Sequence, residues 1–293
     1  LFGPAAGRGR SARLALPPIE VALEAPEEFF EALRRLHPRA VEAALAQPPA
    51  GRDQPPARRD GQYAARYRVR ARRAGFKLSR YEVDHGTFRT ALDAALRLEH
   101  DLEWDVIRGC RDWVAIHGGA VVVGGAACLV AGPSGSGKTS TTFQLVELGH
   151  PFLCEEITLV DPATRAVKSY PQALSVAPAF VAEFQAAHEV TAGELDPVPG
   201  TVRYRPRRLG EEAPLGTVLL PRHAPEGGRG ELREPPREEA LVELLGHCFR
   251  PTVDLELFVD RFGAALEGVT LLELIYRDAA EARSLLAERF PCG

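Results

Sequence analysis

Eight consecutive residues, Gly132-Pro133-Ser134-Gly135-Ser136-Gly137-Lys138-Thr139, fit the G-x-x-x-x-G-K-[ST] phosphate-binding loop at every fixed position. Glycines let successive backbone N–H groups curl around phosphate oxygens, and a helix N-terminus adds further donors and a favourable dipole. Lys138 is spaced to reach the β- and γ-phosphates, and the Thr139 hydroxyl to complete a Mg²⁺ shell. The flanks fit this reading. Ala127-Cys128-Leu129-Val130-Ala131 reads as a buried strand, and residues 140–148 as a helix.

A phosphate loop holds nucleotide but transfers nothing alone. The run from Phe152 to Val160 carries two adjacent acids, Glu155 and Glu156, inside an apolar segment. Buried carboxylates are costly unless they meet a metal, a cation or a cleft. Neighbours on a strand point to opposite faces, but at a strand end or bulge both can approach a γ-phosphate. One carboxylate could then hold Mg²⁺ through water while the other takes the proton of an attacking hydroxyl. Two acids turned to solvent on an edge strand are the competing reading. His117 stands where a strand from Trp113 to Ile116 meets Gly118-Gly119; taken alone it fits a structural histidine as well as a catalytic one.

The elements that must position these residues follow from periodicity. Helical spacing marks residues 27–36, 38–45, 85–97, 237–249, 255–266 and 279–290. Residues 113–117 and 121–123, the strand before the loop, residues 150–160, 215–220 and 269–276 read as strands, with Gly124-Gly125 as a hairpin turn. The stretch from Pro48 to Gly61 has the proline and glycine content of a linker or mobile loop. Residues 194–216, rich in proline and charge, read as an extended insertion able to close over the site. Between Arg52 and Arg80 ten Lys/Arg face two Asp/Glu, a local charge of +8. Within it Arg66, Arg68, Arg70 and Arg72 alternate with Tyr67, Val69 and Ala71, which places the arginines on one face of a strand. A solvated face of a half-buried sheet is the plain reading; if the face has a role, partner or substrate docking is expected ahead of nucleic acid.

A hydrophobic share of 45% supplies a core and excludes global disorder. The net charge of −4 argues against a nucleic-acid surface along the whole chain. The five cysteines form no C-x-x-C pair, and Cys128 and Cys154 fall in expected core strands, which suits a cytosolic, cytoplasmic setting. No apolar run approaches the ~18 residues of a membrane span, and the first residues lack a secretory apolar segment.

His117-Gly118, the loop from Gly132 to Thr139, and Leu148-Gly149-His150-Pro151-Phe152-Leu153-Cys154-Glu155-Glu156 together resemble the catalytic domain of the HPr kinase/phosphorylase family. The likeness is closer to the HPr-kinase-related proteins than to the bifunctional enzyme, and extends more loosely through Leu174-Ser175 and Leu219-Leu220-Pro221-Arg222. It implies an α/β fold with a P-loop core over residues 81–293, preceded by a small α+β region over residues 1–80. It further implies ATP and Mg²⁺ as cofactors and transfer of the γ-phosphoryl group to a hydroxyl, on a protein or peptide serine or a small metabolite. Carried over, Glu155 is the base and Glu156 and Thr139 lie on the metal side. His117 assists the acid, and Gly132, Ser134, Gly135, Ser136, Gly137, Lys138 and Thr139 bind nucleotide. A homo-oligomer is compatible with it. Two departures stand out. The family usually has aspartates at the acid pair, and the extra methylene displaces each carboxylate by about 1.5 Å. Its arginine signature has no counterpart beyond the cluster Arg203, Arg205, Arg207 and Arg208. A P-loop ATPase or GTPase-type switch, and a nucleotide-binding regulatory protein without transfer activity, are the alternatives.

Overall fold

The computed structural model describes residues 10–16, 19–46, 63–110, 112–170, 172–249 and 254–292. It is a mixed α/β protein of two compact units, Leu1–Cys110 and Arg111–Gly293. The division falls at residue 110, not 80, because the strands and helix after Arg72 complete the first unit's sheet. The expected linker from Pro48 to Gly61 lies outside the described residues. Among the described residues no helix is long and apolar enough to cross a membrane.

The first unit contains β1 (Arg10–Leu16), β2 (Ile19–Ala25), α1 (Glu27–Leu36), α2 (Pro38–Leu45), β3 (Tyr63–Arg72), β4 (Gly75–Arg80), β5 (Val83–Phe88) and α3 (Ala91–Gly109). Its sheet runs β1-β2-β3-β4-β5, antiparallel throughout except for the β2/β3 pair. Phe29, Phe30, Leu33 and Leu36 of α1 and Leu98, Leu102 and Val106 of α3 are buried with the inward residues of the strands. The helix expected over 85–97 starts only at Ala91, behind a Thr90/Asp93 capping box. Residues 83–88 instead pair with β4, the hairpin being closed by Tyr81 and Glu82 at positive φ. Phe88 and Leu92 have helical spacing, but the turn at Tyr81-Glu82 and the cap at Thr90 decide the structure.

The second unit opens with β6 (Val114–Val123) and β7 (Ala126–Ala131), joined at Gly124-Gly125, and then α4 (Lys138–Glu147). β8 (Phe152–Cys154), β9 (Ile157–Val160), β10 (Ala166–Val167) and β11 (Leu174–Val176) follow, then α5 (Pro178–Ala187), β12 (Gly193–Val198) and β13 (Thr201–Pro206). The chain ends through β14 (Ala213–His223), β15 (Glu231–Arg233), α6 (Arg237–Gly246), β16 (Cys248–Phe249), α7 (Leu255–Ala265), β17 (Thr270–Tyr276) and α8 (Ala279–Arg289). The main sheet follows β10-β9-β6-β7-β14-β17-β15, with β8 and β16 also paired to β6. β7, β14 and β17 are mutually parallel, so their carboxyl ends form one edge, the usual ligand side of such a sheet.

Residues 194–216 are not an extended insertion. β12 and β13 form a hairpin that pairs with β11 as a separate three-stranded sheet, and β14 belongs to the main sheet. Phe143 of α4, Phe184 of α5 and Tyr204 of β13 pack ring against ring, which fixes this small sheet to the phosphate-loop helix. Glu147, at the far end of α4, completes the attachment by accepting from the Thr191 and Ala192 amides and the Tyr204 hydroxyl. A buried carboxylate with that many donors is compensated.

Candidate active site

The glycine-rich loop expected to hold phosphate leaves β7 at Ala131 and enters α4 at Lys138 through three glycines at positive φ, Gly132, Gly135 and Gly137. Gly137 shows the constraint best. Its φ is +98°, and a Cβ there would strike the Tyr276 hydroxyl. Tyr276, from the end of β17, donates to the Ser136 carbonyl at 3.2 Å and so supports the loop from beneath the sheet edge. Ser136 Oγ is buried without a hydrogen-bond partner. Lys138 Nζ donates to the Pro133 carbonyl at 3.1 Å, and burial lowers its pKa while Glu156 and Glu155 pull it back up.

The expected strand over residues 150–160 is broken at the two acids. β8 ends at Cys154, β9 begins at Ile157, and Glu156 bridges them at φ +61°, a conformation few side chains adopt. The break undoes the strict alternation of a strand, so both acids line one small cleft with Lys138, Thr139 and His117. The cavity is about 10 Å³, room for roughly one water. Its opposite wall is Gly119 of β6, where a Cβ would come 2.6 Å from Thr142 Oγ1 of α4; strand and helix meet this closely only through a glycine. β6 runs unbroken through Gly118-Gly119, where the sequence suggested an interruption.

The two acids differ sharply. Glu156 is partly exposed, and His117 Nδ1 lies 3.1 Å from its carbonyl oxygen and 3.5 Å from Oε2. Glu155 is 3% exposed. Its Oε2 accepts from the Ser175 amide at 2.9 Å, and its backbone carbonyl accepts from Gln172 Nε2 at 3.1 Å. Oε1 is buried with no partner in ordinary hydrogen-bond geometry. Burial, and next the charge of Glu156, push the Glu155 carboxyl up to about 8, against the Thr139 hydroxyl, the Ser175 amide and Arg203. Glutamate at its ordinary value is ionised at neutral pH; Glu155 is largely protonated there.

No protein-family model matches the chain, and no curated protein matches it in sequence. Among solved structures it is similar to the HPr(Ser) kinase/phosphatase from Coxiella burnetii, at 9% identity and a TM-score of 0.28, over 60% of this chain and 95% of that one. The site is therefore argued from its own geometry.

Residue types alone did not point to several of its parts. Ser175 and Gln172 act from β11 and the segment before it, through a backbone amide and a carboxamide. His247, beyond α6, accepts the His117 N–H on its carbonyl at 2.8 Å, and β16 then pairs Cys248 with Ile116. Burial holds the His247 imidazole below its ordinary value; Glu243 opposes this, while Lys138, His117 and Arg222 add to it. Arg222, at the end of β14, is ion-paired with Glu273 and Glu243. Phosphate loop, acid pair and histidine were each visible as motifs; the braces around them come from backbone groups of distant segments.

Among the described residues no three His, Cys, Asp or Glu side chains are grouped to hold a metal by themselves. Mg²⁺ needs no such cage, since it is commonly bound by one or two carboxylates together with nucleotide phosphates. Glu156 and Thr139, on one cleft with an unpartnered Glu155 Oε1, fit that arrangement.

Proposed function

We propose that the second unit is an ATP-dependent phosphotransferase of the HPr-kinase-like kind, moving the γ-phosphoryl group to a hydroxyl acceptor on a protein, peptide or small metabolite. One observation carries this reading. Glu155, which lines the cleft with Lys138 and Thr139, is oriented through Oε2 by the Ser175 amide, while its buried Oε1 has no partner in ordinary hydrogen-bond geometry and the Thr139 hydroxyl acts on the carboxyl from the cleft side. A general base needs one oxygen fixed and the other free to take a proton.

In this scheme the loop amides and Lys138 bind the phosphates. Lys138 exchanges its contact with the Pro133 carbonyl for phosphate oxygens. Glu156 and Thr139 would hold Mg²⁺, which when bound spreads the charge of the β- and γ-phosphates. His117 steadies Glu156 from its backbone and side-chain sides. The acceptor oxygen bonds to the γ-phosphorus as the bond to the β-bridging oxygen breaks, and ADP leaves. The acceptor proton passes to Glu155 Oε1. A base with a pKa of about 8 is stronger than an ordinary carboxylate, but only about a tenth of it is ionised at pH 7.

The test is γ-labelled ATP with candidate acceptors, using wild type and Glu155→Gln. Acceptor labelling by wild type and its loss in the variant support the proposal. Phosphate release at full rate without acceptor assigns the site to an ATPase or GTPase-type switch, and binding without turnover assigns it to a regulatory protein.

A further inference from the structure

The first unit presents a feature that phosphoryl transfer does not use. One face of its sheet is filled: Val21, Leu23, Ala65, Tyr67, Val69 and Leu78 are buried. Strand alternation sends Arg66, Arg68, Arg70 and Arg72 to the other face. Arg68 is paired there with Glu24 and Glu82, each at 2.9 Å. Among the described residues Arg66, Arg70 and Arg72 take part in no ion pair, and Arg70 and Arg72 are exposed.

The fold also sets like charges against each other. Arg70 on β3 lies directly opposite Lys77 on β4, a placement that weakens a sheet, relieved only by the Lys77–Asp84 pair at 2.9 Å. The charge is local. The first unit has 19 Lys/Arg against 15 Asp/Glu, net +4, and the second 17 against 25, net −8. Arg66, Arg70 and Arg72, which gain no ion pair among the described residues on either side of the paired Arg68, are explained by an anionic partner.

We propose that this face docks an extended acidic polypeptide segment of a partner protein, laid along β3 with its acids at alternate positions. Alternate residues of a strand repeat every ~6.7 Å, so an extended segment matches the arginine row one carboxylate per guanidinium. Single-stranded nucleic acid is disfavoured, since such grooves use aromatic platforms, while Tyr67 faces inward and Glu20, Glu24 and Asp84 interrupt the positive surface. The proposal is independent of the phosphotransfer reading.

Fluorescence anisotropy on the full chain at ~0.1 M salt tests it. The probes are a labelled peptide of alternating Glu and Ser, a peptide of the same composition with its Glu residues consecutive, and a single-stranded RNA of equal charge. The alternating peptide is expected to bind best, and the Arg66→Gln, Arg70→Gln, Arg72→Gln triple variant to bind it about tenfold less tightly. An unchanged melting temperature shows the variant folded. No binding of the alternating peptide, equal binding of the two peptides, an unaffected triple variant, or tighter binding of the RNA overturns the proposal. A dimer lost in the triple variant and not displaced by the peptide assigns the face to a second copy instead.

Discussion

The Ser175 amide donates to Glu155 Oε2 at 2.9 Å, joining the small three-stranded sheet to the residue proposed above as the base. The acid's orientation is thus set from β11, on a different sheet from the strand that carries it.

Glu155→Gln keeps the shape and removes the charge. ATP affinity, read by calorimetry, is expected to stay within a few-fold of wild type, while phosphoryl transfer falls by ~10²-fold or more. Transfer at the wild-type rate would remove Glu155 from the mechanism.

The same residue makes folding stability depend on pH. The folded carboxyl titrates near 8 and the unfolded one near its ordinary value of 4.5. Between these the folded state binds the extra proton, so stability falls as pH rises through that window. Melting curves of the protein without added metal or nucleotide should show this fall, and it should flatten in Glu155→Gln. Parallel curves for the two proteins would mean that Glu155 is not buried as described.

Activity has the opposite slope. At nucleotide concentrations well below saturation, where kcat/KM reports the free protein, the rate should climb from pH 6 to about 8 as Glu155 ionises and then level off. A profile flat across that range would point to a base of ordinary acidity.

Lys138→Ala removes the one ammonium of the loop. Nucleotide should bind about 10- to 100-fold less tightly, the cost of losing a charge-assisted hydrogen bond. Equal affinity in a titration would place the phosphates elsewhere.

Gly137→Ala should lower ATP affinity more than Tyr276→Phe does, because it adds both strain at positive φ and a clash with the tyrosine hydroxyl. In the double variant the clash is removed and the strain is not. Affinity should therefore recover in part; complete recovery would show that φ at this position costs nothing.

The parts of this protein that were legible in its sequence are those specified by local chemistry. Gly132 to Thr139 were legible as a tight turn between strand and helix because three glycines there take positive φ, and β6, β7, β14 and β17 follow from runs of apolar residues. The break at Glu155 and Glu156 was foreseeable only as a possibility, since positive φ at a glutamate has no sequence signature. The acidity of Glu155 is not legible in the sequence: burial, a property of the packed fold, raises its pKa, while the Ser175 amide and Arg203, both distant in the chain, partly offset the rise. Residues 85–88, expected as the start of a helix, belong to a strand because Phe88 and Leu92 mimic helical spacing across a hairpin and a cap.

Glu147 gives α4 a second role. The helix begins at Lys138 and ends at the carboxylate that ties down the Thr191 and Ala192 amides, a rod of about 15 Å. The small sheet is consequently moored twice, once at Glu155 beside the phosphates and once at the rod's far end. Two anchors about a helix length apart fix both the position and the tilt of the small sheet, where one alone would leave it free to pivot.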